Sequence, residues 1–103
     1  MARHSITKYQ VMFYGSKDGY QDCRAQVNLH SETGMVGSVR FFEPGKMQPD
    51  DGEVNDRITM NLPITMFSAV LDVLRNEKPI NFYLMGKNAF LTTEAELVGI
   101  LDR

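Results

Sequence analysis

The chain predicts an α+β fold in two layers: a twisted antiparallel sheet of about six strands with one helix packed on one face. Three observations carry that expectation. Apolar and polar residues alternate with a period of two in most of the chain, as half-buried strands require. One stretch alone, Leu62 to Pro79, shows helical periodicity with clear stop signals. Three connections are short, which favours antiparallel neighbours because parallel ones need crossovers of a dozen or more residues. The expected order is four strands, the helix and two strands.

The strands follow in order. Ile6 to Tyr14 places Tyr9, Val11 and Phe13 on one side and Lys8, Gln10, Met12 and Tyr14 on the other. A turn at Gly15 to Gly19 separates it from Gln21 to His30, where Cys23, Ala25, Val27 and Leu29 alternate with Arg24, Gln26, Asn28 and His30. Ser31-Glu32-Thr33-Gly34 supplies a hairpin loop. Met35 to Phe42 continues the buried face with Val39 and Phe41, leaving Ser38, Arg40 and Phe42 outward. Glu43 to Asp56, with Pro44-Gly45, Pro49, Gly52 and the acids Asp50, Asp51, Glu53 and Asp56, reads as a long loop. Arg57 to Leu62 resumes the alternation, with Ile58, Met60 and Leu62 inward.

Pro63 suits the first turn of the helix, where its missing N–H costs nothing. Asn76 in a left-handed conformation and Lys78-Pro79 would end it. Ile80 to Met85, Gly86-Lys87-Asn88 and Ala89 to Thr93 form a final hairpin. The tail from Glu94 to Arg103 mixes apolar Leu97, Val98, Ile100 and Leu101 with Gly99 and charges.

At 100° per residue, Ile64, Met66, Phe67, Ala69, Val70, Leu71, Val73 and Leu74 fill an arc of about 220°, where one packing contact needs about 100°. A single sheet does not cover such a surface. Either the C-terminal tail folds across the outer flank, or the helices of two subunits pack as a homodimer; the dimer is the expectation carried forward.

At 103 residues the chain is expected to be one domain, 1-103. Hydrophobic content of 43% and charged content of 23% are ordinary for a globular protein, and no apolar run reaches the roughly 20 residues of a membrane span. No apolar leader follows Met1, and the single Cys23 suits a reducing compartment, so a cytoplasmic location is expected. A net charge of −2 gives no global attraction to nucleic acid.

Chemistry-bearing motifs are weak. Cys23 lies in register with apolar neighbours and reads as a small buried hydrophobe. His4 and His30 have no spacing to a nucleophile, so no catalytic residue is assigned. Asp50 to Asp56 is oxygen-rich but lacks the calcium-loop spacing, and Gly15-Ser16-Lys17 lacks the flanking glycine and helix of a phosphate loop. No metal or cofactor is expected.

Charge geometry says more. Strand parity projects Lys8, Arg24, Arg40 and Arg57 from the sheet face opposite the helix, among Gln10, Gln26, Asn28, His30, Thr59 and Asn61, while most acids lie in loops and tails. With Tyr14, Phe42 and Tyr83, these cations form the candidate binding set. Rings on which bases stack, among cations that follow phosphates, suit single-stranded nucleic acid; exposed Tyr, Phe, Met and Arg also suit a protein partner. The leading expectation is a non-enzymatic binding module. The alternative is a homo-oligomeric structural or interaction domain using the helix flank.

At Gly37-Ser38-Val39-Arg40-Phe41-Phe42 and at Val70-Leu71-Asp72-Val73-Leu74-Arg75-Asn76-Glu77-Lys78-Pro79-Ile80 the sequence resembles a family of small uncharacterised bacterial proteins. That resemblance implies a bacterial, cytoplasmic origin and carries no activity over. Separately, four strands followed by a helix resembles the repeat unit of the PUR and Whirly single-stranded nucleic-acid-binding domains, in element order alone; the two later strands depart from it.

Overall fold

The computed structural model describes residues 3–95. Strands β1 (Arg3–Ser5), β2 (Lys8–Phe13), β3 (Ala25–Ser31), β4 (Gly34–Phe42), β5 (Gly52–Val54) and β6 (Arg57–Pro63) precede helix α1 (Phe67–Asn76); β7 (Ile80–Met85) and β8 (Asn88–Thr93) follow it. The fold is α+β and mostly strand. Where about six strands in one antiparallel sheet were expected, the described residues form eight in two sheets, ordered β2-β3-β4-β6-β5 and β1-β7-β8.

Each difference has a local cause. β1 has no apolar alternation to betray it; it exists because Arg3–Ser5 pairs with Asn81–Tyr83 of β7. β5 lies inside the acidic loop and pairs with the start of β6. β4 and β6 are parallel, not antiparallel. The connection from Glu43 to Asp56 is long enough for the crossover that a parallel pair needs.

The register bears out the strand parities. Val11, Val27, Val39 and Met60 stand in one cross-strand row, and Phe13, Ala25, Phe41 and Leu62 in the next. This inner face carries both the helix and the small sheet. Phe67 sets its ring edge-on to Phe41, with centroids 5.1 Å apart. Phe82 of β7 lies over Gly37 of β4: a Cβ there would meet the Phe82 ring at 2.8 Å and collide with the Ile58 carbonyl oxygen. The small sheet thus shares the second layer with the helix.

That arrangement answers much of the wide helical arc. Val70 and Leu74 are buried in the core, and Phe67, Leu71 and Val73 are half-buried. Phe13 at the β2 end flanks Phe67 on one side, with ring centroids 5.1 Å apart. On the other side Leu91 of β8 and Met60 and Leu62 of β6 border a shallow apolar groove of about 250 Å³ with Met66, Ala69 and Val73. Met66 and Ala69 remain exposed. Whether the tail reaches this flank falls on residues 96–103, outside those described.

The helix is preceded by a single tight turn, Ile64–Met66, and stops without a left-handed residue. Glu77 is extended, with φ of −107°, because Pro79 two residues on disfavours a helical Lys78. The Glu77 amide still donates to the Val73 carbonyl at 3.0 Å.

Candidate functional site

The face of the large sheet opposite the helix is organised in two polar rows. Met12, Gln26, Arg40 and Asn61 form one, and Gln10, Asn28, Ser38 and Thr59 the other, each running across β2, β3, β4 and β6. Adjacent side chains within and between these rows are close enough to bond, and they do. Tyr14 Oη donates to Gln26 Oε1 at 3.1 Å, Gln26 Nε2 donates to Asn28 Oδ1 at 2.8 Å, and Asn28 Nδ2 donates to Gln10 Oε1 at 3.2 Å. Every amide in this chain is oriented by the one before it. The chain ends on Gln10 Nε2, whose hydrogens have no partner among the described residues.

The predicted cations divide into two kinds. Lys8 and Arg57 are exposed, at the His30 end of the sheet and about 14 Å apart across three strand spacings. Arg40 lies two rows further along. Its Nη2 donates to the Gln21 carbonyl at 3.0 Å and its guanidinium stands 5.5 Å from the centre of the Phe42 ring. None of these three has a carboxylate within ion-pair distance among the described residues. Arg24 is different. Its guanidinium donates to the carbonyls of Tyr14, Ser16 and Lys17 and to Glu43 Oε1, the last at 3.1 Å. It pins the β2–β3 connection and offers no free charge.

The aromatic members separate as well. Tyr14 lies at the edge of the face, its ring tilted against that of Tyr20 with centroids 5.2 Å apart, and burial with the nearby Cys23 raises its phenol above the usual range against the opposing pull of Arg40. Phe42 is only 3% exposed, so it is a floor beneath Arg40 instead of a stacking platform. Tyr83 belongs to the small sheet, where it stacks on Phe90 with ring planes 8° apart and under the Arg3 guanidinium at 4.5 Å. It does not join the other six.

One residue that sequence reasoning left in the long acidic loop closes the side of the molecule. Asp51 accepts the Asn61 amide at 2.7 Å on one carboxylate oxygen and the Ala89 amide at 2.8 Å on the other. It therefore ties the β6 edge to the β8 edge, while Gln48 Nε2 donates to the Asn61 carbonyl at 2.8 Å. No spacing in the sequence announces this role. Of the amide chain, alternation placed Gln10, Gln26 and Asn28 on one face; their bonding to one another follows from the register.

A separate cleft of about 570 Å³ lies where the helix ends against β2, lined in part by Lys8, Tyr9, Glu32, Arg75 and Lys78. Its charges are mixed in sign. Among the described residues no group of three or more His, Cys, Asp or Glu is placed to hold a metal ion. Nor is any helix there long and apolar enough to cross a membrane. No family model, curated protein or solved structure matches the chain.

Proposed function

We propose that the protein is a non-enzymatic binding module that takes an extended anionic chain, single-stranded nucleic acid being the partner of that chemistry, across the outer face of its large sheet. One observation carries this reading: among the described residues Lys8, Arg40 and Arg57 have no carboxylate partners, and they frame an amide network already held in one orientation. The cations would follow phosphates, and Gln10, with the remaining lone pairs of the network, would bond to base edges without reordering. Stacking is a minor contribution, since Tyr14 is the one predicted ring that the face exposes. Lys8 and Arg57 are the residues to test, because among the described residues their side chains make no hydrogen bond or ion pair. Lys8→Glu with Arg57→Glu should leave folding intact and weaken binding of a fluorescent single-stranded oligonucleotide at low salt at least about tenfold. Unchanged affinity would refute the reading.

A second reading rests on the exposed apolar flank of α1. Met66 and Ala69, with Val73 and Leu91 beside them, would pack against a protein partner or a second subunit, the sheet face being merely solvated. Ala69→Glu separates the two readings, since it would abolish association through the helix and leave oligonucleotide binding unchanged.

A further inference from the structure

We infer that two copies of the chain join edge to edge through β2, their five-stranded sheets becoming one continuous sheet about a two-fold axis through Val11. Among the described residues β2 is the outermost strand of its sheet, paired on one side with β3. The Tyr14 amide donates to the Arg24 carbonyl at 2.9 Å, which fixes the bonding parity of the pair. In an antiparallel ladder, bonded and non-bonded residue pairs alternate. Lys8, Gln10 and Met12 therefore bond to β3, and the amides and carbonyls of Tyr9, Val11 and Phe13 point away from it. None of these outward groups has a hydrogen-bond partner among the described residues.

The strand is complementary to itself in this register. Opposing Val11 to the partner's Val11 sets Tyr9 against Phe13, so the outward groups of all three residues meet outward groups of the other copy as bonded pairs. On the helix side this makes two Tyr–Phe cross-strand contacts that cover Phe13, which is 66% exposed in one copy. On the other side Gln10 opposes Met12 and Lys8 opposes Tyr14. No like charges face one another.

The remaining edges are guarded in ways that β2 is not. β1 and β5 are three residues long. β8 runs against β6 and has its Ala89 amide held by Asp51. β2 has six residues, no proline, no bulge against β3 and a single charge at one end, the features of an edge that pairs.

The test combines sedimentation with amide exchange by NMR on the full chain. The wild type is expected to be a dimer at high micromolar concentration that dissociates on dilution. The Tyr9, Val11 and Phe13 amides should exchange at least about tenfold more slowly in the dimer than in the dilute monomer. Val11→Pro removes the central donor at a position where an edge strand accepts proline, and Phe13→Lys changes an exposed side chain; each should give a folded monomer. A monomeric wild type would overturn the inference. So would a dimer that persists in both variants, or one lost on Ala69→Glu while these three amides exchange fast throughout.

Discussion

Asp51 joins two strand edges with one carboxylate, and its removal would leave the Asn61 and Ala89 amides unpaired in buried surroundings. Asp51→Ala is expected to cost about 2–4 kcal/mol, read as a lower urea midpoint at unchanged slope. Tyr14 is expected to link stability to alkaline pH. Its phenol is raised by burial first and by Cys23 next, so the folded state holds the proton more tightly than the unfolded chain. The stability that this contributes is complete below the ordinary tyrosine value of about 10, and is lost as the pH rises through the folded-state value. Tyr14→Phe should flatten that part of the wild-type stability curve, measured by denaturant titration between neutral and strongly alkaline pH. At this scale the sequence reveals side-chain parity well and side-chain occupation poorly. Lys8, Arg24, Arg40 and Arg57 were all placed by period-two alternation. That Arg24 would be consumed by three carbonyls and Glu43 depends on how the β2–β3 connection folds back, which alternation does not encode.

At Gly37 of β4 there is no room for a side chain between β6 and β7. A methyl group there would strike the Ile58 carbonyl across the β4–β6 ladder and the Phe82 ring above it. Gly37→Ala is expected to destabilise by about 1–3 kcal/mol by forcing apart the β4–β6 ladder and the Phe82 ring, with a matching fall in thermal midpoint. Elements with their own periodicity were legible in the sequence: β7 has the residues expected, and β3, β4, β6 and β8 differ at their ends. The helix was legible too, except that its first turn is a separate tight turn. β1 and β5 were not, because three-residue strands exist only through their partners. Assigning every pair as antiparallel missed β4–β6, although the long acidic connection was the signal for a parallel crossover. The wide apolar arc of α1 led to an expectation of cover by the tail or by a second subunit; instead Phe13 and Leu91 of the small sheet flank it, and Met66 and Ala69 stay exposed.

For the whole molecule, the important asymmetry lies between the faces of the large sheet. Helix and small sheet both pack on the inner one, and the outer one keeps an amide network framed by Lys8, Arg40 and Arg57. The opposition of faces was legible from alternation, because one register error would have reversed every side chain. The separation of Tyr83 from that face was not, since it follows from the division into two sheets. If β2 pairs with its copy, the outer faces of two subunits become one polar surface, and a longer chain could follow it. The most direct test of the central claim is fluorescence anisotropy of a labelled single-stranded oligonucleotide titrated with the wild-type protein over a salt series. Three phosphate contacts per subunit predict binding whose logarithm falls with the logarithm of salt at a slope of about −2. No binding at low salt, or binding indifferent to salt, would contradict the account.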